Sequence, residues 1–398
     1  MSDLIWSAYG FEIDGDKIWF VPYWYNFLCC YSLKNKKFER IEFIPEDNGI
    51  ELSYANLVKV NDNIILIPDN ASHICIYNIC ERSFWTKRLK GIEDEIDKFY
   101  AYGLWEDSIF FFAGKYPLIL KLNLKKKEIK YIDDWKEKIN TEGGILCFQF
   151  DYYVEKQKVY LLSAITNQIM IFDMESESVQ VKNVGESTEI YSTIECFGKN
   201  TFLLTDQSGN CILTNLDNAK YEKIENIIEG FVAHRFLKER VCFSDSVRYG
   251  KWVYLIPGQA NKILKFSIEN KVIEEASIDN ILNKEKIIDS AWQGGIFSMV
   301  QERNGWLYGF HVLKGVFFRI NLETEQTEYY PIFLKELKKE ELLDLLSDRL
   351  SKRCVVESDA AYASLKMLME LIQESKHGEI LNPKKSIVGK RIFNALNI

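Results

Sequence analysis

A twelve-residue frame recurs seven times along this chain, starting at Pro22, Pro68, Ala113, Ser163, Thr205, Pro257 and His311. Nine residues beyond each start stands Tyr31, Tyr77, Leu122, Phe172, Thr214, Phe266 or Ile320. Two further on comes Leu33, Ile79, Leu124, Met174, Leu216, Ile268 or Leu322. Successive starts lie 46, 45, 50, 42, 52 and 54 residues apart. Self-similarity at that period marks a supersecondary unit that cannot bury its faces alone and must stack on copies of itself.

The first unit shows what is being repeated. Ile18–Val21 is a short apolar run closed by Pro22, and Leu28–Leu33 is a second. The few residues between them predict an antiparallel hairpin. Lys34–Lys37 is a polar turn, after which Phe38–Phe43 alternates as a half-buried outer strand. Upstream, Ala8–Ile13 supplies an innermost strand, turned by Asp14-Gly15-Asp16. The same order returns in every unit. The expectation is therefore an all-β, seven-bladed β-propeller over residues 1–332, with four antiparallel strands per blade. Beyond Phe333 the period changes. Leu334, Leu337, Leu342, Leu345 and Leu346 form one stripe, and Leu365, Leu368, Met369 and Ile372 another, which predicts a short helical C-terminal appendage over 333–398.

The frame resembles a degenerate kelch repeat. That family's blade has a strand ending in a glycine pair, a tyrosine about nine residues on and a tryptophan about seven beyond it. Tyr31 with Phe38, and Tyr77 with Phe84, stand at that spacing, and Ala113-Gly114 and Pro257-Gly258 match part of the glycine pair. Pro22 and Pro68 replace the first glycine, and blades three to seven lack the tryptophan. The resemblance, to kelch-type and related bacterial propellers, spans residues 8 to 332. It implies ligand or protein binding, with catalysis in only some relatives.

Composition removes several classes of function. Net charge is −8 with no clustered basic footprint, so nucleic acid is not an expected partner. No apolar run is long enough to span a bilayer, and the first residues show no leader pattern. The nine cysteines, Cys29, Cys30, Cys75, Cys80, Cys147, Cys196, Cys211, Cys242 and Cys354, show no metal-type pairing and read as buried thiols. A cytoplasmic location is the default that follows.

Strand directions sort the connections onto two faces. Short charged turns gather on one, and the loops between strands two and three, with the longer links between blades, gather on the other. Binding residues favour loops held by a rigid frame. On that face Tyr23-Trp24-Tyr25-Asn26 offers aromatic rings beside an amide, suited to anchoring a peptide or stacking on a sugar. Asn167 and Asn261 share the frame position of Asn26, where a turn role competes with a ligand role. Tyr116, His73 and His311 fall in the same set of loops. Asp69 and Asp206 stand near the frame start, yet no pair among these has metal-ligand spacing, so neither metal nor cofactor is expected.

Glu12, Lys59, Gln149, Asp151, Glu195 and Asp245 fall in innermost strands and would line a central channel. They read either as the polar wall of a wet channel or as carboxylates for acid–base work. No standard catalytic signature is present. The leading expectation is a non-catalytic binding scaffold whose loop-rich face engages a protein or peptide. The alternative is a carbohydrate-binding protein, or a propeller enzyme acting on a glycan at the channel mouth.

Overall fold

The structure is a computed structural model. It describes residues 8–22, 26–45, 53–115, 118–135, 137–139, 147–198, 200–218, 220–233, 242–278, 297, 299–311 and 316–332. The helical appendage expected over 333–398 lies outside them. Within them the chain is all β: seven four-stranded antiparallel sheets, each with its strands in sequence order, the blades of a seven-bladed β-propeller. Blade 1 comprises Ala8–Asp14, Lys17–Pro22, Phe27–Ser32 and Lys37–Phe43, close to the runs read from the sequence. Two compact units divide the chain. One holds blades 1 and 2; the other, built on Glu95–Val312 and Phe317–Tyr329, holds blades 3 to 7.

The repeated frame has a hydrogen-bonding cause. The backbone N–H of Leu33, Ile79, Leu124, Met174, Leu216, Ile268 and Leu322 donates to the carbonyl of Asp16, Asp62, Asp107, Gln157, Asn200, Lys251 and Gly305 respectively, at 2.7–3.0 Å. Each bond ties the end of a blade's third strand to the tight turn before its second. The side chain two positions earlier is buried at every copy, from Tyr31 to Ile320. Spacing is conserved from blade to blade because one turn and one core position must be met together.

A third position carries as much information. Between those two residues stands Ser32, Asn78, Asn123, Asp173, Asn215, Ser267 or Asn321, always a short hydrogen-bonding side chain. Its oxygen accepts a backbone N–H two or three residues on, closing the turn into the fourth strand. Four residues further, Lys36, Arg82, Lys127, Glu177, Lys271 and Glu325 adopt left-handed backbone with φ from 50 to 57°. Glycine would be easier there. Charged residues hold the position because several reach back to the preceding blade: Arg82 to Glu42 at 2.8 Å, Glu177 to Lys121 at 2.8 Å, Lys271 to Glu222 at 2.6 Å and Glu325 to Lys265 at 2.7 Å.

Between neighbouring sheets the core is largely aromatic and aliphatic. Trp19 meets Tyr77 at 5.9 Å between blades 1 and 2, Phe110 meets Phe172 at 5.6 Å between 3 and 4, and Tyr160 meets Phe202 at 4.8 Å between 4 and 5. The Tyr254 hydroxyl donates to the Leu322 carbonyl at 2.9 Å between blades 6 and 7. Outer strands such as Lys37–Phe43 and Lys220–Ile224 carry Lys and Glu, which protects open sheet edges from further pairing.

Candidate functional site

The inner strands of blades 4, 5 and 6, Phe148–Glu155, Tyr191–Gly198 and Phe243–Tyr249, pack side by side in the larger unit. All three break register near the end where they meet the last residues of the second strand. Such bulges re-aim side chains.

The two faces of Phe148–Glu155 are sharply different. Phe148 packs on Trp135 at 5.4 Å, Phe150 on Tyr100 at 4.9 Å and Tyr152 on Tyr102 at 6.2 Å, all on the blade 3 side. Asp151 and Tyr153 face the other way. The Ile194 N–H and the Ser246 hydroxyl both donate to Asp151 Oδ2, at 2.9 and 2.8 Å, and Tyr153 meets Phe202 at 5.9 Å. Gln149 lies inside the stretch where this strand breaks register with its neighbour. Gln149 is 6% exposed, and among the described residues its side chain makes no hydrogen bond.

Blade 6 completes the arrangement. Asp245 Oδ1 accepts from the Ser246 N–H at 2.9 Å, and Oδ2 from the Val300 N–H at 3.0 Å. Ser244, next to Asp245, has a buried hydroxyl without a partner. Glu195 of blade 5 accepts the Cys196 N–H at 3.1 Å. Arg248 donates to the Cys196 carbonyl at 3.2 Å. Three carboxyls, Asp151, Glu195 and Asp245, and the Ser246 hydroxyl thus share one wall.

Burial first, and the negative charge of Asp245 second, push the Asp151 carboxyl well above the ordinary carboxylate range. Burial pushes Asp245 up to about 7, against the N–H groups of Val300 and Ser246. Burial also lifts Glu195 to about 7, while the Cys196 N–H and the Arg248 charge pull the other way. The Tyr152 hydroxyl is raised as well, mainly by burial. Among the described residues no lysine or arginine forms an ion pair with Asp151 or Asp245. Such a wall can hold a proton between two carboxyls near neutral pH, and it presents acceptors to whatever enters.

The loop residues singled out from sequence are placed as follows. Tyr23, Trp24, Tyr25 and Tyr116 lie outside the described residues. Asn26 donates to the Ile44 carbonyl at 3.2 Å, Asn167 to Val184 at 3.0 Å, and Asn261 to Gly230 at 2.8 Å while accepting the Val232 N–H at 2.8 Å. Each amide pins its loop to a link between blades. None of the three has left-handed backbone; Gly209, at the same frame position, does, with φ of 83°. His73 opens the third strand of blade 2, its Nδ1 2.8 Å from the Ser72 hydroxyl. His311 is buried and meets Phe297 edge-on at 5.4 Å. Asp206 is bound into its own turn by Ser208 and Asn210 and pairs with Lys223 at 2.9 Å.

Of the inner-strand residues, Asp151, Glu195 and Asp245 come together. In the smaller unit Lys59 instead pairs with Asp14 at 2.5 Å, and Glu12 is buried. Sequence reasoning missed Ser244 and Ser246. Their only signal was the run Ser244-Asp245-Ser246 in a strand otherwise closed by aromatics.

Comparison with known proteins supports the same class of molecule. No family model matches the chain, and no curated protein does. Among solved structures it is similar to virginiamycin B lyase from Staphylococcus aureus, with a TM-score of 0.56 and 12% identity over 77% of this chain and 92% of that one. It is similar to a streptogramin B lyase, TM-score 0.52 and 12% identity over 78% and 91%. A third likeness is to the computationally designed Ika8 protein, TM-score 0.50 and 7% identity over 83% and 88%. At these identities the likeness is one of fold. These likenesses support a β-propeller and not a kelch repeat in particular; the sequence's aromatic pairs Tyr31–Phe38 and Tyr77–Phe84 meet within their own blades at 5.5 and 4.8 Å.

Proposed function

We propose that this chain is a non-catalytic binding module that holds a protein or peptide partner, with the inner wall of blades 4 to 6 receiving a side chain of that partner. One observation carries the reading. The buried Ser244 hydroxyl has no protein partner among the described residues, and no lysine or arginine there pairs with Asp151 or Asp245. A buried polar group left unmade costs free energy, and a site that binds is a common reason to bear that cost. The aromatic run Tyr23-Trp24-Tyr25 is a separate anchor candidate for a protein partner, carried by the sequence alone. Capture of partners from cell extract by wild type, Trp24→Ala and Asp245→Asn tests it. The expected result is that partners captured by wild type are lost with Asp245→Asn while thermal melting stays close to wild type; Trp24→Ala tests the aromatic run separately. Capture unchanged with Asp245→Asn would defeat the proposal.

A second reading is favoured by one specific feature. Glu195 and Asp245 both sit at about 7, where a carboxyl serves equally as acid and base. A propeller enzyme directed at a glycan would use them so, and two of the similar structures carry the name of lyases. Under this reading Glu195→Gln abolishes turnover of an identified substrate while leaving its affinity intact.

A further inference from the structure

One apolar side chain stands in water far beyond the rest. Ile227 is 86% exposed, whereas Phe43, the next most exposed large apolar residue among those described, is 51% exposed. Ile227 lies in the link from blade 5 to blade 6, within the larger unit. A single exposed isoleucine is ordinary on a loop free to turn it inward. This loop is tied down on both sides. The Asn226 N–H donates to Asn210 Oδ1 at 2.9 Å, and the Ile228 N–H to Asn226 Oδ1 at 3.1 Å. The Phe231 N–H donates to the Ile228 carbonyl at 3.1 Å. Beyond it, Asn261 of blade 6 accepts the Val232 N–H and donates to the Gly230 carbonyl, both at 2.8 Å. Ile224, Ile228 and Phe231 pack on the core shared by blades 5 and 6, with Phe231 stacked on Phe243 at 5.9 Å.

The neighbours of Ile227 repeat its outward direction. Glu225 and Glu229 are exposed, while Asn226 and Ile228 between them are half-buried. That alternation is the period of an extended chain, and it sets carboxylate, isoleucine and carboxylate on one side at i, i+2 and i+4. Among the described residues neither Glu225 nor Glu229 forms an ion pair or a side-chain hydrogen bond. Lys223, just before the loop, already pairs with Asp206 at 2.9 Å and Glu189 at 3.4 Å. Lys262, beside Asn261, pairs with Glu275 at 2.5 Å. Val232, 41% exposed, adds apolar surface beyond Gly230.

We propose that residues 225–232 dock an extended segment of a partner protein bearing a basic, an apolar and a basic residue at alternate positions. Ile227 packs on the partner's apolar side chain, and the two cations meet Glu225 and Glu229. Charge selects this occupant over a second copy of the chain, which would bring a net charge of −8 toward two free carboxylates. The fixed backbone favours association, because little order remains to be imposed on it. This surface is separate from the inner wall of blades 4 to 6, and the inference stands whether or not that wall binds.

The probe is a fluorescein-labelled peptide, Gly-Lys-Thr-Leu-Thr-Lys-Gly amide, read by fluorescence anisotropy. Its controls are the isomer Gly-Lys-Lys-Thr-Thr-Leu-Gly amide and the analogue with Glu for both Lys. Saturable binding with a Kd below about 1 mM is expected. It should weaken severalfold between about 50 and about 500 mM NaCl. Both control peptides, and the variant Ile227→Ala, should bind at least about fivefold more weakly. Glu225→Gln combined with Glu229→Gln should weaken binding to a similar degree and flatten its salt dependence. Melting curves of these variants should match wild type, since each replaced side chain is exposed.

The proposal is overturned if the probe does not saturate, or if the isomer binds equally well, since net charge alone would then account for the attraction. Binding unchanged by Ile227→Ala or by the double Gln variant overturns it as well. Sedimentation velocity at rising protein concentration supplies the last arm. A dimer that Ile227→Asp dissolves would assign this loop to a second copy and remove the basic partner.

Discussion

Replacing Asp151 by asparagine separates a carboxyl that is neutral in the folded protein from one that is a buried charge. Oδ2 accepts the Ile194 N–H and the Ser246 hydroxyl, so a carboxamide can leave its oxygen there and put its NH2 at the Oδ1 position, toward Asp245. That copies the protonated acid. The sign follows from proton affinity. Both acids bind a proton more tightly folded than unfolded, so stability falls as pH rises through the window between the two values. For Asp245 that loss is complete shortly above its folded value of about 7. Beyond that point only Asp151 contributes, at up to about 1.4 kcal/mol per pH unit for as long as it keeps its proton.

Wild type should therefore go on losing stability above pH 7, at up to about 1.4 kcal/mol per pH unit, and Asp151→Asn should lose far less. At pH 7 the Asn variant should lie within about 1 kcal/mol of wild type. Asp151→Ala, which strands the Ile194 N–H and the Ser246 hydroxyl, should cost roughly 2 to 4 kcal/mol. Urea unfolding followed by tryptophan fluorescence at each pH gives all three numbers. If the Asn variant is as unstable as the Ala variant at pH 7, or declines as steeply as wild type up to pH 9, the acid is ionised in the fold and the reasoning fails.

Other perturbations test the frame around this wall. Lys36→Gly should stabilise by about 1 kcal/mol in urea unfolding, since an exposed residue is relieved of left-handed backbone. Glu325→Gly, at the equivalent turn, should destabilise by roughly 2 kcal/mol, because Lys265, Tyr254 and the Ser277 N–H all lose their acceptor. Gly103→Ala should cost about 1 to 3 kcal/mol, read as a lowered unfolding midpoint, because a Cβ there would lie 2.6 Å from Met174 Sδ and 2.9 Å from Val159 Cγ2. Tyr254→Phe should cost roughly 1 kcal/mol by the same assay, through the lost bond to the Leu322 carbonyl.

The architecture was legible in the sequence because each blade solves the same local problem. Pairing of Lys17–Phe20 with Cys29–Ser32 and the bond from Leu33 to Asp16 fall within a short stretch, and seven repetitions make the pattern unmistakable. Even the turn residue from Ser32 to Asn321 was there to be read. The asparagines at 26, 167 and 261 carried a weaker signal: their position was visible, but their bonds run to links between blades, and only the fold shows which carbonyl is near. The wall was visible only as scattered residues. Asp151 and Ser246 are 95 apart in sequence and 2.8 Å apart in space, because blades 4 and 6 turn their inner strands toward one line. A strand's own alternation says which face a carboxylate is on. Whether it then meets water, a cation or another acid depends on strands far away in the chain, and their packing alone sets its proton affinity.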